Sequence, residues 1–368
     1  MNKPKLHLNW IDVLRFFGIF AIYLGHLGEA AGKLYPFVFI YHVPLFFFVS
    51  GFLSSYKKKA ALDFVKEKFI KLMLPYYFFS FISLVYFLIL YNWNLTDALH
   101  IIKTSFYGIR NQLLSGSLWF FPCLFLMSII HYVFLRLFGK EIFIFGISVG
   151  LFFFTQTMLL FNPALQPSWF MNLDSALYYY VFYAAGGLSF SLTSKAFFRT
   201  KLFNKLAWRI TAAAAALMAL KCYFEGGLWL ASKLLNSFSF MMIYAAVINS
   251  IFALLMALVI IFVNIFMAKK MQNVNFMRAL GKETLIFCGT ENICKDIIFQ
   301  IVTTFGLSIH LNTPIASMLF VLFCLSVSYF TIVRFFNTYC PALIGKWRDF
   351  GPSVVSVAPH TSGSCNAT

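Results

Sequence analysis

The chain has 368 residues, of which 61% are hydrophobic, 20% are aromatic and only 11% are charged. This composition excludes an ordinary soluble domain, in which about a quarter of the residues are charged. The formal net charge of +17 does not require a nucleic acid, because basic residues that flank membrane spans account for it, and no nucleic-acid partner is expected.

Apolar stretches long enough to cross a bilayer recur along the whole chain. We predict an all-α polytopic membrane protein with about ten transmembrane helices in one bundle, surrounded by membrane lipids. Residues 1–340 are predicted to form a single transmembrane domain, and residues 341–368 a short, disordered cytoplasmic tail. In chain order, the predicted spans are 11–29, 36–54, 72–91, 116–136, 142–161, 176–193, 208–224, 240–266, 284–307 and 314–336.

Lys and Arg residues are unevenly distributed among the loops between these spans. If the amino terminus is cytoplasmic, most of the 29 Lys and Arg residues lie on the cytoplasmic side. Positively charged flanks are retained in the cytoplasm during insertion. Since an even number of spans returns the chain to its starting side, both termini are predicted to be cytoplasmic.

The first predicted span carries three ionisable side chains along one face. A helix turns about 100° per residue, which brings Arg15 and His26 within roughly 20° of each other, and Asp12 lies about one turn before Arg15. Ionisable groups inside a membrane are costly and usually functional. The alternatives are an Asp12–Arg15 ion pair at the cytoplasmic interface and a histidine that only bonds to a neighbouring helix.

Two later spans offer further candidates near the depth of His26. His42, in the second span, either takes part in catalysis or only orients His26. Trp119, where the fourth span begins, is either an interfacial anchor or a platform for a sugar ring. The choice between these roles stays open in both cases.

Lys68 and Lys71 lie three residues apart on the helix that enters the third span. Their charge is explained by topology alone, but a shared helix face would also let them bind phosphates. In the ninth span, Glu291 and Lys295 have the spacing of an ion pair within one helix, which we favour. Alternatively, Glu291 accepts hydroxyl groups of an acceptor sugar. The seven cysteines have no metal-ligand spacing, and no metal site is predicted.

Four segments resemble the membrane-bound acyltransferase family 3, whose bacterial members O-acylate cell-surface sugars. IDVLRFFGIFAIYLGH is similar to that family's first span, in which ten residues separate an Arg from a His. YHVPLFFFVSGFL, KFIKLMLPYYFF and SLWFFPCLFL resemble its next three spans. The chain departs from the family at Lys68-Phe-Ile-Lys71, where Arg-x-x-Arg is frequent, and near Glu291, where a His is frequent.

The resemblance implies an acyl-CoA-dependent O-acyltransferase, with acetyl-CoA as donor substrate and no bound cofactor. Its acceptor would be a sugar hydroxyl of a cell-surface polysaccharide or of its lipid-linked precursor, at a bacterial plasma membrane. Arg15 and His26 are roughly 16 Å apart along the helix, about the length of a pantetheine arm. The expected residues are His26 as general base with Arg15, Asp12 and His42; Arg15, Lys68 and Lys71 for the donor; and Glu291 and Trp119 for the acceptor.

A transporter or flippase of a lipid-linked sugar is the alternative function. In that case Asp12, Arg15 and His26 would form a proton relay rather than an acyl-transfer site. The enzyme would consume an acyl-CoA donor, whereas the transporter would move protons without one. The two hypotheses therefore differ in whether donor is consumed.

Overall fold

The computed structural model describes residues 8–54, 60–159, 161–194, 201–225, 242–306, 311 and 313–346. All regular secondary structure in these ranges is helical. The α-helices are α1 (Asn9–Gly25), α2 (Leu34–Phe39), α3 (His42–Phe52), α4 (Ala61–Lys68), α5 (Leu74–Tyr91), α6 (Leu95–Tyr107), α7 (Phe120–Phe138), α8 (Glu141–Thr157), α9 (Leu173–Ser194), α10 (Lys201–Glu225), α11 (Met242–Lys270), α12 (Asn275–Lys282), α13 (Thr284–Thr304), α14 (Pro314–Ser328) and α15 (Arg334–Tyr339).

The all-helical fold class is confirmed for the described ranges, and each of the ten predicted spans contains a helix. Within those ranges, five helical stretches are long and apolar enough to cross a membrane. They are Leu34–Phe52, Ala61–Tyr91, Gly116–Phe138, Ile248–Lys270 and Pro314–Tyr339. The count of ten spans and the cytoplasmic location of both termini stay predictions.

The first helix lies at the centre of the fold. α1 packs against α2, α3, α11, α12, α13 and α14. Val13, Leu14, Ile19 and Tyr23 on this helix have no exposed surface. Because protein surrounds α1 on several sides, its ionisable residues face other helices rather than lipid.

The second predicted span is broken, whereas the sequence predicted one continuous helix over 36–54. α2 ends at Phe39 and α3 begins at His42, with Tyr41 at a non-helical φ of −133°. Pro44 explains the break, because a proline inside a continuous helix would clash with the carbonyl of Ile40, four residues earlier. His42 is therefore the first residue of α3.

A π-helical turn at Phe69–Met73 joins α4 to α5 and overlaps the start of the third predicted span, 72–91. Pro75, at the start of α5, would clash with the carbonyl of Lys71 in a regular α-helix, and a widened turn relieves that clash. The wider turn also removes the i, i+3 alignment that the sequence suggested for Lys68 and Lys71.

Two glycines let α3 and α9 approach each other closely. A side chain on Gly51 would collide with the Tyr183 carbonyl, and one on Gly186 would collide with the Phe48 carbonyl. Small residues at helix crossings allow such backbone contact in membrane proteins. This crossing holds α3, which begins with His42, against α9.

Candidate active site

His26 lies just past the end of α1, where the sequence predicted it to be inside a longer helix. The helix ends at Gly25, and the His26 backbone N–H donates to the Ile22 carbonyl. The ring is partly exposed, with 29% of the side-chain surface accessible. His26 Nδ1 lies 2.8 Å from both Glu291 Oε1 and Oε2. A carboxylate only accepts hydrogen bonds, so this contact favours the proton on Nδ1 and leaves Nε2 able to act as a base.

Glu291 is completely buried and is held by residues from three elements. Lys295 Nζ lies 2.7 Å from Glu291 Oε1, so the ion pair favoured from the i, i+4 spacing is present. The Ser117 hydroxyl donates to Glu291 Oε2. A buried carboxylate requires such compensation, and here a lysine, a hydroxyl and the His26 ring provide it. Glu291 is thus a buried contact of His26 Nδ1 that Lys295 and Ser117 hold in place.

His26 lines a cavity of about 650 Å³ that also contains His42, Ser117 and Trp119 on its wall. Apolar side chains of α1, α3 and α7 line much of the remaining wall, including Ile22, Val43, Val49, Phe46, Phe121 and Leu124. Basic side chains also contribute, namely Arg15, Lys71, Lys282 and Lys346. One continuous space therefore connects the imidazole of His26 with several cations.

His42 is buried, with 4% of its surface exposed. Its Nδ1 lies 2.7 Å from the Val38 carbonyl, which can only accept, so Nδ1 is the donor. Its ring packs edge-on against Phe39, with ring centroids 4.8 Å apart. His42 is thus held by α2. The residue that contacts His26 Nδ1 is Glu291 rather than His42.

Trp119 is buried on the cavity wall, with 6% of its surface exposed, rather than lying at a lipid interface. The Arg110 guanidinium lies over the indole at 4.9 Å from the ring centroid. Tyr179 packs beside it, with a centroid distance of 6.0 Å. A cation on one aromatic face stabilises the ring's orientation, so the indole is held firmly in the wall.

Asp12 and Arg15 occupy different positions relative to the cavity. Arg15 lines it, whereas the described wall does not include Asp12, which is 3% exposed. Asp12 and Arg15 interact electrostatically, as their spacing on α1 suggested. Asp12 therefore balances the charge of Arg15 while lying outside the described cavity wall.

Lys68 is the last residue of α4, whereas Lys71 lies within the π-helical turn. Lys71 lines the cavity, and its Nζ lies 2.7 Å from Glu67 Oε1. Lys68 Nζ instead lies over the Phe64 ring, 5.5 Å from its centroid, and Lys68 is not part of the wall. Of the two lysines, only Lys71 is in position to contact a molecule in the cavity.

Several residues of the site were not identified from the sequence. Ser117 stands in the quoted motif SLWFFP, but its contact with Glu291 depends on a helix far along the chain. The charges of Lys282 and Lys346 are explained by membrane topology alone, so the sequence does not indicate that they line the cavity. The signal in the sequence is weak, since Ser117 only lies two residues before Trp119, a predicted acceptor residue.

Within the described part of the chain, no group of three or more His, Cys, Asp or Glu residues is arranged to hold a metal ion. The described site holds an imidazole bonded to a carboxylate. A carboxylate-bound imidazole beside an apolar cavity can accept a proton from a hydroxyl group. The bound carboxylate then stabilises the imidazolium that forms.

A family model described as an acyltransferase domain, that of the acyltransferase 3 family, matches residues 8–333. No curated protein and no solved structure matches the chain. The matched range covers most of the chain and includes both His26 and Glu291. The resemblance inferred from the four amino-terminal segments is thereby confirmed. The chain belongs to the acyltransferase 3 family and is an acyltransferase.

Proposed function

We propose that this acyltransferase moves an acetyl group from acetyl-CoA to a sugar hydroxyl of a cell-surface polysaccharide or of its lipid-linked precursor. We further propose that it works as a multi-pass protein of a bacterial plasma membrane, with both termini in the cytoplasm. Several apolar helices support a membrane location. Acyl-CoA is available in the cytoplasm and the acceptor is exposed at the cell surface. The donor and the acceptor must therefore reach the same cavity from opposite sides of the membrane.

The contact between His26 and Glu291 carries this proposal. The Nδ1 atom lies 2.8 Å from both carboxylate oxygens, and His26 is on the cavity wall. A histidine whose second nitrogen is fixed by a carboxylate is a general base of defined orientation. Acyl transfer to an alcohol needs such a base, because the neutral hydroxyl is a weak nucleophile.

In the proposed reaction, Nε2 of His26 takes the proton of the acceptor hydroxyl. The oxygen attacks the thioester carbonyl carbon, a new C–O bond forms, and the C–S bond breaks. The proton on Nε2 then passes to the leaving sulfur, so that coenzyme A leaves as the thiol and His26 returns to its neutral form. Glu291 stabilises the imidazolium between these two proton transfers.

Arg15 and Lys71 are the proposed ligands of the donor. Both line the cavity that also contains His26. Arg15 precedes His26 by roughly 16 Å along the helix, which a pantetheine arm can span. Guanidinium and ammonium groups are suited to bind phosphates. Lys68 lies off the cavity wall, so a direct donor contact is assigned to Lys71 instead.

Trp119 and His42 are the proposed acceptor-side residues, because both line the cavity with His26. An indole offers a flat apolar face to a sugar ring. Glu291 is poorly placed to bind the acceptor, because its carboxylate is already bonded to His26, Ser117 and Lys295 and has no exposed surface. We therefore assign Glu291 the role of positioning His26.

Membership of an acyltransferase family favours this function over the transporter or flippase. A proton relay along α1 would also need Asp12 to be on the path, whereas the described cavity wall includes Arg15 and His26 but not Asp12. The decisive difference is chemical, because the enzyme consumes acetyl-CoA and a transporter does not. Donor consumption is therefore the property to measure.

The test is acetyl transfer to surface glycans, followed by glycan mass spectrometry in a strain that lacks the native gene. Wild type should add an acetyl-sized mass. His26→Ala, at an equal level in the membrane, should reduce the amount of acetylated glycan at least a hundredfold. A general base usually contributes roughly 10²–10⁴-fold to the rate. His100→Ala is the matched control, because His100 is an exposed histidine of α6, and it should act like wild type.

Equal acetylation by wild type and His26→Ala would refute the role of His26 as the base. Loss of the glycan from the surface without any change in its acetylation would support the transporter instead. Consumption of [acetyl-¹⁴C]acetyl-CoA by purified protein in nanodiscs gives the corresponding measurement in vitro, and it should require His26.

A further inference from the structure

Residues 340–346, directly after α15, form a compact turn. The backbone N–H groups of Leu343 and Ile344 donate to the Cys340 carbonyl, and that of Lys346 donates to the Pro341 carbonyl. Ile344 is buried, with 2% of its surface exposed. We call residues 340–346 the C-terminal turn. A buried apolar anchor and local hydrogen bonds keep it in one position.

The C-terminal turn docks against the π-helical turn that presents Lys71. Gly345 has a φ of +73°, and a Cβ atom placed on it would lie 3.3 Å from the Lys71 carbonyl oxygen and 3.5 Å from Pro75. A left-handed backbone and close contact both favour glycine at this position. The docking brings Ile344, Gly345 and Lys346 onto the wall of the cavity that contains His26.

Lys346 is held by groups that another anion can replace. Its Nζ lies 2.7 Å from Glu283 Oε2 and 2.6 Å from Asn337 Oδ1. The Lys346 side chain is 45% exposed, and an ion pair of this exposure is weak in water. Lys346 can therefore leave Glu283 for a stronger, doubly charged partner without being buried unpaired.

Lys346 is one of four cations on the cavity wall, together with Arg15, Lys71 and Lys282. They come from α1, the π-helical turn, α12 and the C-terminal turn. Three carboxylates are paired with this group of four cations, namely Asp12 with Arg15, Glu67 with Lys71 and Glu283 with Lys346. Cations therefore exceed these carboxylates, and a phosphorylated molecule is the chemical class that such a group favours.

We propose that the C-terminal turn is part of the donor site, and that Lys346 exchanges Glu283 for a phosphate of the acyl-CoA nucleotide. This inference rests on the proposed function, because it assumes that the donor occupies the cavity. The C-terminal turn lies outside the four amino-terminal segments that resemble the family, so it would be an additional donor-binding element. Glu283 also gains a function, since this carboxylate holds Lys346 in place when no donor is present.

The test compares Lys346→Gln with wild type in nanodiscs, using acetyl-CoA and S-acetylpantetheine, a donor that lacks phosphates. The KM for acetyl-CoA should rise roughly five- to tenfold, as expected for loss of one charge-assisted contact at an exposed site. The KM for S-acetylpantetheine should stay within twofold of the wild-type value. Lys346→Arg should restore acetyl-CoA binding, and Lys140→Gln, at an exposed lysine before α8, is the matched control.

Calorimetric binding of coenzyme A separates this inference from the proposed function. If coenzyme A binds wild type and binds Lys346→Gln at least fivefold more weakly, the C-terminal turn is part of the site even if no sugar is acetylated. Unchanged binding of coenzyme A in Lys346→Gln overturns the inference, as does an equal rise in KM for both donors. Absence of coenzyme A binding to wild type overturns both the inference and the proposed donor.

Discussion

His26 and Glu291 are separated by 265 positions in the sequence, and yet His26 Nδ1 lies 2.8 Å from the Glu291 carboxylate. The contact joins the end of α1, the central helix, to α13. It gives the acyltransferase an oriented imidazole at the cavity wall. Lys295 and Ser117 hold the carboxylate in turn. The predictions below follow from these contacts and from the cations on the same wall.

Glu291→Gln should lower kcat by about two to four orders of magnitude, because an amide neither fixes the Nδ1 tautomer nor stabilises the imidazolium. KM for acetyl-CoA should change little, since Glu291 does not line the cavity. Steady-state kinetics on purified protein measure both. Because His26 and Glu291 act as a unit, the double variant with His26→Ala should be no slower than His26→Ala alone. Multiplicative losses would show that they act separately.

Ser117→Ala should reduce kcat by roughly ten- to a hundredfold, because a hydrogen bond to a charged group contributes about 1.5–3 kcal/mol. The hydroxyl donates to Glu291, so its removal leaves the carboxylate less firmly placed. Ser115→Ala is the matched control, since the described residues provide no hydrogen-bond partner for the buried Ser115 hydroxyl. That variant should keep wild-type kcat. Equal effects in the two variants would contradict the role of Ser117.

Lys71→Gln should raise KM for acetyl-CoA by about tenfold, whereas Lys68→Gln should leave it within twofold. The reason is geometric, because Lys71 lines the cavity and Lys68 lies over the Phe64 ring. A phosphate contact by an ammonium group is charge-assisted, which accounts for the size of the change. The measurement is KM for acetyl-CoA at a saturating acceptor concentration. A larger effect at Lys68 would place the donor elsewhere.

Gly345→Ala should raise KM for acetyl-CoA, because the added Cβ pushes the C-terminal turn away from Lys71. Gly139→Ala is the matched control. It has a similar left-handed φ of +68° but no neighbouring atom within 4 Å of the added group. Both variants should lose roughly 1–2 kcal/mol through backbone strain, measured as a lower Tm. Only Gly345→Ala should change KM, and an equal KM in the two variants would argue against docking at Lys71.

Much of the helical layout follows from the order of apolar residues along the chain. Each predicted apolar stretch contains a helix, because a segment surrounded by lipid or protein must satisfy its backbone hydrogen bonds internally. The Glu291–Lys295 ion pair could be predicted equally well, since both residues lie on one helix at i, i+4. The sequence also contains Pro44 and Pro75. The break before α3, which Pro44 explains, and the π-helical turn, which Pro75 explains, were not predicted from them.

The contacts that complete the site depend on distant parts of the chain. The pairing of His26 with Glu291 requires α13 to pass beside the end of α1, and no local pattern specifies that crossing. Lys346 reaches the cavity only because the C-terminal turn docks near Lys71. Hydropathy and helical spacing act over a few residues, so they determine which segments are helical and which side chains share a face. The His26–Glu291 contact and the cations of the wall arise from packing between helices, where shape and buried charge decide which distant residues meet.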